Sequence, residues 1–344
     1  MKRPTQKDVA RLAGVSRSTV SYVLNTQTQL KIPISDETRQ RVMRAIAELG
    51  YEPDARAQSL IRGSTRIVGV IIPVIDNPYF WQMFSGISDA LQEAGYSLHL
   101  SRDPLNVQQD STTIRELTRH RVDGFILLAA VKYLLPQYVD DLRKAAKPVV
   151  EITASKAEFD HVIHDYASGT RALMSHLLEL GHRQIGFVYG VAQEGQGADR
   201  LVTYRQVLQE AGVSGSDAFE MHCGDKMEDA YRAAYTLLSR PDRPTALLAI
   251  NDMLAIAVMR AAHDLGLTIP GDLSVAGFDD IPFSNYVSPR LTTVSGRAEE
   301  SGRDAVRLLL NRFADPDLPQ QVTTAKVELI VRESTGPVSL PGRG

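Results

Sequence analysis

The sequence is poor in cysteine and has no long apolar runs. Its single cysteine, Cys223, excludes an intramolecular disulfide and leaves no thiolate cluster for a structural zinc site. No stretch approaches the roughly 20 apolar residues that a membrane-spanning helix needs. The basic start, MKRPTQKDVA, is not followed by the apolar segment of a signal peptide. We therefore expect a protein of a reducing compartment, cytoplasmic, with no membrane partner, no metal and no cofactor.

The net charge of −3 is unevenly distributed along the chain. Through Ser64 there are 11 Lys and Arg against 6 Asp and Glu, whereas the remainder has 27 against 35. A basic segment ahead of an acidic body suits a chain whose first part meets a polyanion such as nucleic acid. Charge alone leaves open a chance fluctuation among solvated surface residues.

Two patterns of apolar residues divide the chain. Residues 5–51 show helical periodicity without strand-like alternation. After Arg66, β-rich apolar runs alternate with amphipathic stretches, which predicts an α/β body of mainly parallel sheets with helices on both faces. About 270 residues of this pattern exceed what one sheet usually holds, so we predict two similar lobes. The predicted strands include 67–74, 96–100, 124–128, 148–152, 185–189, 246–250 and 273–278, and the predicted helices include 80–94, 168–180 and 252–265.

The first fifty residues have the pattern of a helix-turn-helix with a third helix. Thr5 can cap the first helix with Asp8 as its reciprocal partner, Gly14 can make the turn, and Ser16 and Ser35 can cap the other two helices. The apolar positions predicted to face inward are Val9, Ala10, Leu12, Ala13, Val20, Val23, Leu24, Val42, Ile46 and Leu49, and those left outward are Arg17, Ser18, Ser21 and Tyr22. Such a second helix enters the DNA major groove, where arginine can bond guanine. The alternative is an ordinary helical hairpin with a solvated polar face.

Residues 53–64 form a linker between the two patterns. Pro53 ends the third helix, and Asp54 can cap a short new one. A helix of about two turns is marginal in water, because nucleation costs more than a few hydrogen bonds return. We expect this segment to order only against a partner.

Several motifs follow one another in an order typical of a known family. The N-terminal part contains DVARLAGVSRSTVSYVLN and SDETRQRVMRAIAELGYEPDARAQSL. The body contains TRIVGVIIP, NPYF, VDGFILL, LLELGHRQIGFVYG, AINDMLAIAVMRAAHDLGLTIPGDLSVAGFDD, LTTVSG and LIVREST. In these motifs nearly the whole chain resembles the lactose-repressor (LacI/GalR) family of ligand-responsive transcription regulators. The resemblance implies an all-α headpiece followed by two doubly wound parallel-sheet lobes of the periplasmic-binding-protein type.

For the headpiece, the resemblance implies that Arg17, Ser18 and Tyr22 read bases. Relatives often have arginine at the position of Tyr22, so base preference there should differ. Phosphate contacts are implied for Thr5, Ser16, Thr19, Ser21 and Asn25. The loop at 26–34 is about four residues longer than in relatives, and its Lys31 either adds a phosphate contact or belongs to a tolerated surface insertion.

The linker is similar to the family's hinge helix, which pairs with its twofold mate and inserts a leucine into the minor groove. Here Leu60 would be inserted, and Ala57 would allow close approach to the DNA. Because two hinges must meet, the resemblance implies a homodimer on a pseudo-palindromic double-stranded operator, paired through the first lobes near 80–94.

For the body, the resemblance implies an effector cleft between the lobes. Arg200 and Asp279 would bond ligand hydroxyls, with Asn251 assisting. The first-lobe wall would consist of Asp76, Asn77, Tyr79 and Phe80. Lys226 replaces a frequent aromatic residue, and it would face either an acidic or phosphorylated ligand or solvent; Thr203 replaces a common glycine. Without the resemblance, Asp279 would be interpreted as a loop-capping residue and Arg200 as a surface helix residue.

These implications define the expected domains. The headpiece spans 1–52, the hinge 53–64, the two-lobed ligand-binding and dimerisation body 65–336, and a disordered tail 337–344. Within the body, lobe 1 would take about 65–164 and 296–325, and lobe 2 about 165–295 and 326–336.

We expect a sequence-specific repressor of carbohydrate uptake or catabolism genes that is controlled by a small effector, most simply a sugar. Alternatives are a global regulator with a phosphoprotein co-repressor, or a regulator that responds to a nucleoside, a purine or an acidic ligand. A transport-type solute receptor would need the body but not the headpiece. An enzyme is disfavoured because there is no GxGxxG or P-loop, and His161, His164, His176 and His182 lack catalytic or metal-ligand spacing.

Overall fold

The computed structural model describes residues 4–24, 34–52, 63–73, 77–103, 112–119, 121–128, 136–152, 158–190, 196–213, 219–224 and 226–338. The chain divides into two compact units, Met1–Thr65 and Arg66–Gly344. Within these ranges, no helix is long and apolar enough to cross a bilayer.

The first unit contains helices α1 (Gln6–Ala13), α2 (Arg17–Leu24) and α3 (Asp36–Leu49). The predicted reciprocal cap of α1 is present, since Asp8 N donates to Thr5 Oγ1 at 3.4 Å and Thr5 N donates to Asp8 Oδ2 at 2.9 Å. Ser16 caps α2, because its Oγ accepts from Thr19 N at 3.1 Å. Gly14 makes the turn with a φ of 64°, a conformation that glycine adopts without steric cost.

Val9, Val20 and Val42 are fully buried and form the centre of the headpiece core. The prediction that Leu12 faces this core is wrong, because 46% of its surface is exposed. At about 100° of rotation per residue, Leu12 lies about 60° from Val9, on the side away from the buried Ala10 and Ala13, and so at the edge of the buried face. An apolar residue adjacent to a buried face was therefore assigned to that face in error.

The described part of the second unit contains two six-stranded sheets. Its described strands are β1 (Ile67–Pro73), β2 (Ser97–Asp103), β3 (Gly124–Leu127), β4 (Val149–Ile152), β5 (Asp160–His164), β6 (Ile185–Tyr189), β7 (Glu220–His222), β8 (Ala246–Ala249), β9 (Ser274–Phe278), β10 (Thr292–Ser295), β11 (Val322–Ala325) and β12 (Glu328–Ile330). The first sheet has the order β11-β5-β4-β3-β1-β2, and all its neighbouring strands are parallel. The second has the order β12-β10-β9-β8-β6-β7 and is parallel except for the β10–β12 pair.

Helices connect the strands of both sheets. They are α4 (Pro78–Glu93), α5 (Thr112–Arg119), α6 (Pro136–Ala145), α7 (Tyr166–Glu179), α8 (Gln196–Glu210), α9 (Met227–Leu238), α10 (Asp252–Asp264) and α11 (Ala298–Ala314), with a 3-10 helix at Pro282–Asn285. The chain passes from one sheet to the other after β5, after β10 and after β11. The predicted fold class, a helical headpiece and two parallel-sheet lobes, is confirmed.

Strands covered on both faces account for the apolar runs in the sequence. Every residue of β6 and of β9 is buried, as expected for parallel strands between two layers of helices. Polar groups at such strands are therefore concentrated at the strand ends. In doubly wound sheets the carboxyl ends of the strands are where ligands bind.

The packed part of the C-terminal segment extends to a later residue than predicted. Val338 N donates to Leu180 O at 3.0 Å, and Gly336 N donates to Ser274 Oγ at 3.1 Å. The predicted start of a disordered tail at residue 337 is thus too early by at least two residues, because Val338 completes a backbone hydrogen bond. Residues 339–344 lie outside the described part of the chain.

Candidate functional site

Arg17 stands exposed at the start of α2 and is held by the preceding helix. Its Nε donates to Gln6 Oε1, on α1, at 3.2 Å. Ser18 is also exposed, whereas Tyr22 is half-buried one turn later. The three residues proposed to read bases therefore lie on one helix, with the arginine presented at the amino end that would enter the major groove.

Two of the residues predicted to contact phosphates are engaged in helix caps. Thr5 Oγ1 donates to Asp8 Oδ2 at 2.7 Å, and hydrogen bonds from Thr5 hold the pKa of Asp8 below its usual value. Ser16 Oγ bonds Ser18 Oγ at 2.8 Å and Thr19 Oγ1 at 2.9 Å. These hydroxyls must rearrange, or the free backbone N–H groups of the helix must serve, when a phosphate is bound.

Four other predicted site residues lie outside the described residues. They are Asn25, Ala57, Leu60 and Asp76. Ser21 is described and is half-buried on α2.

In the second unit, residues from both sheets meet at the carboxyl ends of their strands. Asn77, which precedes α4 in the first lobe, donates from Nδ2 to Asp279 Oδ2 at 2.9 Å. Asp279 directly follows β9 in the second lobe, 202 residues further along the chain. The amide oxygen of Asn77, Oδ1, accepts from Tyr79 N at 3.0 Å, which fixes the orientation of the amide. Two predicted residues of the effector site are thus in direct contact.

Arg200 is buried beside this contact. It is 8% exposed, and its Cζ lies 3.8 Å from the centroid of the Tyr166 ring and 4.9 Å from that of Phe278. Nη1 donates to Ile250 O at 2.6 Å, while the buried Nε has no hydrogen-bond partner in the described structure. This burial contradicts the alternative in which Arg200 is a surface helix residue. A buried donor without a partner is costly, and a hydrogen-bond acceptor that reached Nε would relieve this cost.

Asp279 is held in an uncommon backbone conformation. It has a φ of 104°, and the next residue, Asp280, has a φ of 53°. The loop is fixed from two sides, because Asp280 pairs with Arg332 at 2.6 Å and Ile281 N donates to the buried Asp252 at 3.0 Å. Such strain persists only where surrounding contacts over-determine it, and it is concentrated at functional sites. Burial raises the pKa of Asp279 to about 6, and the positive charge of Arg200 opposes the shift.

Three other residues predicted to bind the ligand make no hydrogen bond or ring contact with Arg200 or Asp279 in the described structure. Asn251 caps α10, since its Oδ1 accepts from Leu254 N at 2.9 Å, which leaves the amide hydrogens for another partner. Phe80 is half-buried against the core of the first lobe. Lys226 is exposed at the start of α9 and makes no side-chain capping bond there.

One buried cluster consists of Asn77, Tyr79, His164, Tyr166, Arg200 and Asp279. Sequence reasoning missed two of its residues, His164 and Tyr166. Tyr166 OH donates to Tyr79 OH at 3.1 Å, and His164 Nε2 lies 3.2 Å from the same oxygen. Both residues lie at the end of β5 or the start of α7. No strong sequence signal marks them, because β5 contains only two apolar residues, Val162 and Ile163, and was not among the predicted strands.

Glu151, on β4, is a buried carboxyl that sequence reasoning also missed. It is 0% exposed, and backbone hydrogen bonds from Glu158 and Phe159 hold its pKa below the value that burial alone would give. Burial, with a smaller effect from Glu158, raises its pKa to about 8. The carboxyl is therefore largely protonated in the folded protein at neutral pH.

The change Glu151→Gln is expected to flatten the dependence of stability on pH. A pKa raised from 4.5 to about 8 by folding means that stability is fully present below pH 4.5 and is lost as the pH rises towards 8. An amide does not titrate, so the variant should not lose this stability as the pH rises. The free energy of unfolding of the variant minus that of the parent should therefore increase by at least ~1 kcal/mol from pH 5 to pH 8. Urea unfolding at both pH values measures this. The exposed Glu116→Gln is the control, and an equal pH dependence of the Glu151 variant and the parent would contradict the buried, protonated state.

Two family models cover most of the chain. One, described as bacterial regulatory proteins of the lacI family, matches residues 5–54. The other, a periplasmic binding protein-like domain, matches residues 174–335.

Relatives of the same length are similar over nearly the whole chain. The HTH-type transcriptional repressor PurR of Photobacterium profundum is 31% identical over 334 residues, which cover 96% of this chain and 98% of that protein. The ribose operon repressor of Haemophilus influenzae is 30% identical over 333 residues, with the same two coverages.

Solved structures show the same fold. The lac repressor dimer bound to operator and the anti-inducer ONPF superposes with a TM-score of 0.85 at 27% identity, covering 97% of this chain and 100% of that one. A LacI family transcriptional regulator from Enterococcus faecium with bound ribose superposes with a TM-score of 0.71 at 28% identity, covering 79% and 100%.

Proposed function

Because this chain belongs to the LacI family of bacterial regulatory proteins, we propose that it represses carbohydrate uptake or catabolism genes under the control of a small polyol effector. Members of the family are DNA-binding transcriptional repressors that take small-molecule effectors and form dimers. The proposal adds the class of effector, the residues that bind it and the genes controlled. It also places the protein in the cytoplasm, where the chromosome lies.

The observation that carries the proposal is the buried pair of Arg200 and Asp279. Arg200 supplies a buried guanidinium whose Nε has no partner in the described structure, and Asp279 supplies a buried carboxyl in a strained, fixed loop. The charge of Arg200 acts on the pKa of Asp279, so one donor and one acceptor belong to the same buried region. A site of fixed donors and acceptors rejects a ligand that leaves them unpaired, and vicinal hydroxyls pair with both. The ribose bound by the Enterococcus faecium regulator has this chemistry.

We propose that the effector signal passes from the body to the headpiece through the hinge. In this scheme residues 1–52 hold the DNA, 53–64 form the hinge with Ala57 and Leu60 in the minor groove, and 65–336 form the effector-binding dimer. The two lobes meet at the Asn77–Asp279 contact. A ligand that prefers one lobe arrangement shifts the equilibrium between DNA-binding states by its difference in affinity for them.

A purine or nucleoside effector is the second candidate. The observation that favours it is the number of rings around Arg200, namely those of Tyr166, Phe278 and the adjoining Tyr79. A planar base can stack on such rings while its polar edge bonds a carboxylate.

A thermal-shift panel separates the two candidates. D-ribose, other neutral sugars, D-ribose 5-phosphate, adenosine and guanine are each added to the purified full-length protein. A ligand present at a hundredfold excess over its Kd stabilises the folded state by about 2.7 kcal/mol, which raises Tm by about 5 °C or more. We expect this shift from a neutral sugar. A shift from the nucleoside or the base alone would replace the first candidate by the second, and no shift from any compound would contradict both.

A further inference from the structure

We infer that His164 is a specificity-determining residue whose Nδ1 accepts a hydrogen bond from the effector, and that the effector is therefore a neutral hydroxyl donor at this point. The inference rests on the proposed function, which makes this cluster the effector site.

The position of the imidazole hydrogen follows from the partners of His164 Nε2. Ser301 Oγ lies 2.9 Å from Nε2, and the same hydroxyl donates its hydrogen to Arg297 O at 3.2 Å. The oxygen of Ser301 is thus left to accept, so Nε2 carries the hydrogen and donates it. The hydroxyl of Tyr79, 3.2 Å from Nε2, accepts from Tyr166 OH at 3.1 Å and has a second lone pair that can accept from Nε2 as well.

The second ring nitrogen of His164 then presents a lone pair. The residue is 4% exposed, and Nδ1 has no hydrogen-bond partner in the described part of the chain. Burial, followed by the charge of Arg200, lowers the pKa of His164 to about 4, so the ring is neutral at physiological pH. A buried acceptor without a donor is unfavourable, and a ligand that supplies the donor relieves this cost.

The groups around the His164 ring indicate the chemistry of the ligand that Nδ1 would bind. The His164 ring stacks on Tyr166 with centroids 5.3 Å apart, and Arg200 lies over the Tyr166 ring. The cluster therefore offers two acceptors, His164 Nδ1 and the Asp279 carboxylate, and one cationic donor. An ionised phosphate or carboxylate has no hydrogen for either acceptor, whereas a sugar hydroxyl donates and accepts. The ligand class that satisfies all three groups is a neutral polyol.

Two substitutions separate a role in effector binding from a structural role. Asparagine places its amide near the position of Nδ1, and glutamine places its amide near that of Nε2. If Nδ1 binds the effector, His164→Asn keeps D-ribose affinity within about threefold, and His164→Gln lowers it by about tenfold or more. If His164 only holds Ser301 and Tyr79 through Nε2, the order of the two variants reverses. The reversed order in isothermal titration calorimetry overturns the inference.

Nitrogen NMR of the histidine side chains supplies a readout that needs no ligand. The full-length protein labelled with ¹⁵N, with the His164→Gln spectrum for assignment, should show a neutral ring protonated on Nε2. Addition of D-ribose should shift the Nδ1 resonance towards that of a hydrogen-bonded acceptor. A ring protonated on Nδ1 overturns the inference whether or not D-ribose binds.

The anionic analogue tests the ligand class. D-ribose 5-phosphate should bind more weakly than D-ribose, and equal or tighter binding would overturn the neutral-ligand part. If neither sugar raises Tm, the proposed polyol function fails, and the tautomer alone decides the inference about His164.

Discussion

Replacing Arg200 by glutamine is expected to weaken effector binding by about two orders of magnitude. The guanidinium is buried against Tyr166 and stands beside Asp279, so its loss removes a charge-assisted donor to the ligand. It also leaves the buried Asp279 carboxylate without the positive charge that favours ionisation. Loss of a hydrogen bond to a charged group costs about 1.5–3 kcal/mol, and an uncompensated neighbour adds to that.

The measurement is calorimetric titration of Arg200→Gln with the compound that gives the largest thermal shift. Arg205→Gln is the matched control, because Arg205 lies on the same helix, is partly exposed and pairs with Glu220 instead of with the residues around Arg200. The control should bind the effector as the parent does, and operator affinity without effector should be the same for all three proteins. An unchanged effector affinity in Arg200→Gln would remove Arg200 from the site.

Replacing Arg17 by alanine is expected to relax the sequence preference at one base pair of each half-site. A bidentate arginine–guanine contact discriminates against the wrong base by about 1–3 kcal/mol, which is about 5-fold to 150-fold in relative affinity per half-site. In the free headpiece the Arg17 guanidinium is bonded to Gln6, so the side chain exchanges a neutral partner for a base edge on binding. The loss should therefore appear as lost discrimination and not as lost folding.

Selection of binding sites from a randomised duplex library measures this preference. Arg41→Ala, an exposed arginine on α3, is the control and should keep the preferred sequence. A salt titration adds a second criterion, because loss of a phosphate contact alone weakens binding to all sequences alike. If the base preferences of Arg17→Ala equalled those of the parent, Arg17 would not read a base.

Local signals made the headpiece predictable. Thr5, Asp8, Gly14 and Ser16 each act on neighbours within a few residues, and each occupies the expected capping or turn position. Leu12 shows the limit of the approach. Apolar identity alone does not decide between the buried face of α1 and its edge, since that depends on where α3 packs.

Long-range contacts limited the prediction of the body. Short strands such as β11 and β12 have no extended apolar run. They are strands because β11 pairs with β5 and β12 pairs with β10, and both partners lie earlier in the sequence. Arg200 and Asp279 were found by resemblance to a family, not by pattern. Sequence reasoning found no role for His164. Its hydrogen-bond partner Ser301 is 137 residues away in the sequence, and no local pattern indicates such a contact.

The most direct test of the account is the operator affinity of the dimer with and without its effector. Fluorescence anisotropy with the selected operator should show a change in Kd of about tenfold or more when the effector saturates the parent, within the range of ordinary allosteric coupling. The Arg200→Gln protein, at the same effector concentration, should change by less than about twofold. An operator Kd that is the same in the parent with and without a bound effector would contradict the claim that this repressor is controlled from the Arg200–Asp279 site.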